Sequence, residues 1–118
     1  VLDADTPALE KLRTLLWIVV DAPDADPIGC LVVNSTVELG PRDAEVAAKL
    51  RADQRYRLEL LTAVIERGQR DGEIGRDKDA RTLALFVIAT IGGLQVAARG
   101  GADRAERAAI ATTALDAL

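Results

Sequence analysis

Apolar residues recur along this chain mostly at three- and four-residue spacing, the period of a helix with one buried face. In the first such stretch Leu9, Leu12, Leu15, Leu16 and Val19 share a stripe, while Glu10, Lys11, Arg13 and Thr14 point outward. Thr6 is placed to cap this helix, and Pro7 suits the first helical position, where no amide N–H is required. The run DAPDADP then stops it. The clearest element follows Asp43 and reaches Gly72. It turns Ala47, Leu50, Gln54, Leu58, Leu61 and Ile65 inward and sets Glu45/Lys49, Asp53/Arg57 and Glu66/Arg70 four residues apart on its wet side.

Two further stretches complete the helical reading. Residues 79–99 form a helix that is apolar around nearly its full circumference from Leu83 onward, interrupted by Gln95 and a few Thr. Its uncharged part, residues 82–98, is just short of a bilayer span and contains Gly92, Gly93 and Gln95, so cover by protein on most sides is expected. Gly100-Gly101 closes it. In the last stretch Asp103 precedes Glu106 by three positions, a capping-box pattern, and Ile110, Ala111, Ala114, Leu115 and Leu118 form an Ala-rich face.

The segment PIGCLVVNSTVELGPRD, residues 27–43, is ambiguous by period. As a strand it alternates Leu31, Val33, Ser35 and Val37 against Val32, Asn34, Thr36 and Glu38. As a helix it aligns Cys30, Asn34 and Val37. A lone strand has no pairing partner elsewhere in this chain, so a helix is predicted.

The expected fold is therefore all-α: one domain over residues 1–118, a five-helix antiparallel bundle-like arrangement. A helix without a polar face needs cover from several sides, and five helices supply one side of it. The last two helices are expected to pair with their copies in a second chain, a four-helix seam about a two-fold axis. Ala89, Gly93 and Ala97 form a small-residue ladder in that seam, joined by Ile110, Ala111, Ala114 and Leu115. Internal packing of both faces is the competing arrangement.

Composition narrows the function. The 118 residues carry a net charge of −4 and no basic run, which disfavours nucleic-acid binding by this chain alone. Cys30 is the only cysteine and His is absent, so neither an internal disulfide nor a structural zinc site is expected; no metal or cofactor is predicted. The same lack of His, with no phosphate loop, nucleophile elbow or inward carboxylate cluster, argues against an enzyme. There is no initiator Met and no signal peptide, so a fragment of a longer, cytoplasmic protein is expected.

The stretches GCLVVNSTVELGPRDAEVAAKLR, ERGQRDGEI, DARTLALFVIATIGGLQVAARGGA and ALDAL, in that order, resemble the C-terminal regulatory half of TetR/AcrR-type transcriptional regulators. The likeness covers the chain from about Thr6 to Leu118. It implies a domain that binds a small-molecule effector and homodimerises, behind an N-terminal helix-turn-helix domain that reads DNA and is absent from this chain. It implies a regulator, a repressor by expectation, with DNA contacted only through that missing domain and no membrane partner. It also places the Cys30/Asn34/Val37 stripe toward the effector cavity.

Small-molecule sites are mostly apolar with a few orienting polar groups. Residues of that mixed character are Trp17, Cys30, Asn34, Tyr56, Leu60, Phe86 and Thr90. Each has a plainer role: core for Trp17 and Phe86, a backbone partner for Asn34, a small buried apolar group for Cys30, exposure between two arginines for Tyr56. The inward stripes are poor in charge, with Arg57 at their edge, which favours a largely apolar effector. Effector binding is expected to reset the tilt of the first three helices while the last two hold the two-fold axis. A ligand-free helical dimerisation module is the alternative.

Overall fold

The computed structural model describes residues 6–21 and 44–118, and among them four helices: α1 (Ala8–Asp21), α2 (Ala44–Arg70), α3 (Ala80–Arg99) and α4 (Arg104–Asp116). All the described secondary structure is helical, so the fold is all-α as expected. The segment predicted as the second helix, with Cys30 and Asn34, lies outside the described residues.

Local chemistry sets the helix ends. Asp79 caps α3 by accepting the Thr82 N–H at 3.0 Å. The predicted capping box of α4 is complete: Asp103 accepts from the Glu106 N–H (2.8 Å), and the Glu106 carboxylate accepts from the Asp103 N–H (3.0 Å). After α2 and after α3 the chain turns through a glycine at positive φ, Gly72 at 79° and Gly101 at 102°. Both ends are Schellman motifs: Glu73 N–H to Gly68 C=O with Gly72 N–H to Gln69 C=O, and Ala102 N–H to Ala97 C=O with Gly101 N–H to Ala98 C=O. A side chain at Gly72 or Gly101 would be strained in the left-handed region that these turns require.

The start of α1 differs from expectation. The Ala8 N–H donates to Glu73 Oε2 at 3.1 Å, so the cap comes from a residue 65 positions later, while the Pro7 carbonyl takes the Lys11 N–H. Lys11 is also inside, 5% exposed, where an outward position was expected. α1 packs against all three other helices, so its buried arc is wider than one stripe.

α3 likewise touches the other three, whereas α2 and α4 do not meet; α1 and α3 form the diagonal between them. The core has two parts. Around the α1 N-terminal half lie Leu12, Leu58, Leu61, Ile65, Leu83 and Val87, with Ile74 from the α2–α3 connection. Around its C-terminal half lie Leu16, Val20, Leu94, Ala111 and Ala114. Gly68 lets Ile74 and α1 approach: a Cβ there would lie 2.7 Å from Ile74 Cδ1 and 2.9 Å from Ala8 Cβ. In α2 the inward stripe is buried from Leu58 onward; Ala47 and Leu50 are half-buried and Gln54 is exposed.

The α2–α3 connection, residues 71–79, ties helix ends from across the chain. Arg76 donates to the last α2 carbonyls, those of Gln69 (2.8 Å) and Arg70 (3.1 Å). Lys78 Nζ donates to the Ala117 carbonyl beyond α4 (3.1 Å), and the Gly75 N–H donates to the Leu118 carbonyl (3.3 Å). With Glu73 at the start of α1 and Asp79 at the start of α3, acids meet N-terminal ends and bases meet C-terminal ends. That pairing matches each helix dipole.

Candidate functional site

The face of α3 turned from the core carries the strongest signal. Leu83, Ala84, Val87 and Leu94 point inward. Opposite them stand Leu85, Phe86, Ala89, Gly93 and Val96, with Val96 57% exposed. No charged residue interrupts this helix between Arg81 and Arg99. It is long and apolar enough to cross a membrane, and 28% of its apolar stretch is buried within the chain. Cover on most sides, the sequence expectation, is therefore not supplied by the described residues: α1, α2 and α4 all pack on the inward arc.

Gly92 and Gly93 sharpen the point. A Cβ on either would meet no described residue within 4 Å. Neither glycine serves packing among the described residues, yet each costs about 1 kcal/mol against Ala in a helix interior.

The seven residues expected at the seam separate. Ala89, Gly93 and Ile110 are exposed, and Ala97 and Leu115 are half-buried. Ala111 (0% exposed) and Ala114 (5%) lie in the core beside Leu16 and Val20, which leaves no surface of theirs for a second chain. The inward stripe of α4 runs Arg107–Ala111–Ala114, so α1 takes the Ala-rich side. Leu85 and Val96 extend the outward ladder and were not singled out from sequence. Their spacing from Ala89, four and seven residues, was the available signal.

Of the effector candidates, Cys30 and Asn34 lie outside the described residues. Trp17, Tyr56 and Phe86 stand on three different helices and none is in the core. Tyr56 is 67% exposed and Phe86 40%, while Trp17 is half-buried against the second core cluster. Among the described residues the buried hydrophobic core is aliphatic, and all three aromatic rings of the chain retain open surface. The Arg13 guanidinium sits 4.3 Å over the Trp17 ring, a cation–π pair. Leu60 and Thr90 are half-buried, and the Thr90 hydroxyl donates to the Phe86 carbonyl one turn back (2.8 Å).

Among the described residues the inward arginine is Arg107 on α4, since Arg57 is exposed. Its guanidinium donates to the Val20 carbonyl from Nε (3.1 Å) and Nη2 (2.9 Å), and to the Ala102 carbonyl from Nη1 (2.5 Å). It is engaged with backbone and not held open for an anion. Among the described residues no three His, Cys, Asp or Glu side chains converge as metal ligands would.

The described residues thus form an all-helical domain with a long helix left apolar on its outer side, a surface of the kind that meets a partner. Residues 8–114 match the family described as "Tetracyclin repressor-like, C-terminal domain", and the chain belongs to that family. That family belongs to transcription regulators and is not a family of enzymes. Among the chain's relatives is the HTH-type transcriptional repressor DhaR of Mycobacterium sp. (strain GP1), 33% identical over 89 residues. That alignment takes in 75% of this chain and 43% of the relative, so the chain spans less than half that relative's length. No solved structure matches the chain.

Proposed function

We propose that residues 1–118 are the regulatory domain of a cytoplasmic TetR-type repressor, which homodimerises and binds a small, largely apolar effector. DNA binding then belongs to a helix-turn-helix domain of the full-length protein. The observation that carries the dimer is the outer face of α3: apolar between two arginines, with two glycines that no described intrachain contact uses. A second copy crossing at Gly92–Gly93 would bring the backbones close and cover Leu85, Ala89 and Val96, with Ile110 of α4 at the margin. Ala97 and Leu115 would border that seam.

Effector binding is assigned to Trp17, Tyr56, Leu60, Phe86 and Thr90, with Cys30 and Asn34 from the sequence reading. The ring surface left open on an aliphatic frame supports it, because exposed aromatic area can grip an apolar molecule. An effector would act by preferring one of two arrangements of the domain.

The test is a screen of small apolar molecules against this chain, read by thermal stability and by emission of the single tryptophan, Trp17. A compound that raises Tm and shifts Trp17 emission supports the sensor reading. A chain that self-associates but responds to none is instead the ligand-free dimerisation module.

A further inference from the structure

We propose that Glu73 and Arg107 are positioning residues that hold the two ends of α1, Glu73 from the stop of α2 and Arg107 from α4 and the α3–α4 turn, so that α1 does not tilt against α4. The expected effector response, a tilt of the first three helices against the last two, would break this lock.

The lock acts at both ends of one helix. At the N-terminus of α1 the Glu73 carboxylate accepts the Ala8 N–H, one of the amides that no helical carbonyl can satisfy. At the C-terminus the Arg107 guanidinium takes the Val20 carbonyl twice and holds the Ala102 carbonyl of the α3–α4 turn with the same group. Arg104 adds a pair to Asp21 at 2.7 Å, more exposed and weaker. An anion therefore sits at the positive end of the α1 dipole and a cation at the negative end.

Both groups come from distant sequence, 65 and 87 positions away, so neither is a local cap. Each is anchored by its own element. Glu73 lies in a connection that also binds the chain after α4, through Lys78 and Gly75. Arg107 belongs to the inward stripe of α4, 9% exposed, where its hydrogen bonds are shielded from water. Tilting α1 against α4 would separate a buried guanidinium from its acceptors. Leaving that charge buried and unpaired carries a desolvation cost that opposes the tilt. By contrast, no side chain is buried in residues 44–57 of α2. The regulatory reading enters only in the consequence, that an effector acts without moving α1 against α4.

Hydrogen exchange on the whole chain tests the lock with no effector present, so a chain that binds nothing would leave the result standing. In the wild type, amides of residues 12–20 are expected to exchange as slowly as those of residues 83–94. Arg107→Met, which removes two hydrogen bonds to Val20 and one to Ala102, should speed residues 15–21 about tenfold or more relative to α3, tenfold being the least that one lost charge-assisted hydrogen bond gives. Arg107→Lys, which keeps a cation, should fall between. Glu73→Gln, the milder change, should speed residues 9–12 relative to α3 and serves should the Met variant not fold. Wild-type α1 exchanging tenfold faster than α3, an unchanged α1:α3 ratio in the variants, or equal effects of Met and Lys would each overturn the proposal.

Discussion

Arg107 and Val20 are joined by two hydrogen bonds to one carbonyl, across 87 positions of sequence. The contact closes the C-terminal end of α1 against the start of α4. It satisfies an acceptor that the helix itself cannot, and gives a buried cation its partners. Replacing Arg107 by Met leaves the Val20 and Ala102 carbonyls without these donors. A loss of about 2–3 kcal/mol in unfolding free energy is expected, measured by urea denaturation. A variant as stable as the wild type would mean that water replaces the guanidinium without cost.

Gly68→Ala sets two effects against each other. Alanine improves helix propensity by about 1 kcal/mol, but its methyl would sit 2.9 Å from Ala8 Cβ and closer still to Ile74. Ile74 can turn away; Ala8 is backbone-fixed, so α1 itself must shift. Overpacking of about 1–3 kcal/mol should win, lowering Tm. A raised Tm would show that α1 yields at no cost.

Gly93→Ala separates the chain from its partner. No described residue of the chain lies within 4 Å of the new methyl, so each folded monomer should gain about 1 kcal/mol of helix propensity. The dimer should weaken at the same time, because the added methyl holds the partner helix away. Thermal unfolding under dissociating dilution and sedimentation at higher concentration read the two effects separately. Tighter association of the variant would place the seam elsewhere.

Ring size and burial point in opposite directions here. Leu12→Ala empties a fully buried position and should cost about 2–5 kcal/mol. Phe86→Ala removes a larger group that is 40% exposed, and should cost less than about 2 kcal/mol. Denaturation of both variants checks the order. A Phe86 variant less stable than the Leu12 variant would return Phe86 to the core and remove it as an effector contact.

What the sequence disclosed was what neighbours in sequence determine. The capping box Asp103/Glu106, the glycine stops at Gly72 and Gly100-Gly101, and the inward positions Leu12, Leu16, Leu58, Leu61 and Ile65 all follow from local rules of spacing and φ. Contacts between distant segments were not legible. Glu73 reads as one acid in a polar turn and Arg107 as one base in a capped first turn; only the fold brings them to the two ends of α1. The bareness of α3 was visible as a missing polar face. Which alanines of α4 were left for a partner was not, because the side on which α1 packs decides it. Leu85 and Val96 were overlooked for a related reason: in a helix apolar all round, periodicity no longer marks the outside.

Central to the proposed function is the outer face of α3 as the meeting surface of two chains. The most direct measurement is the molar mass of the 118-residue chain by light scattering after size exclusion, across a dilution series, beside Val96→Glu. The wild type should run near twice its 12.5 kDa chain mass, and Val96→Glu, which alters an exposed residue, should fold and run near 12.5 kDa. A wild type at 12.5 kDa at every concentration, or a Val96→Glu chain that still dimerises fully, would contradict it.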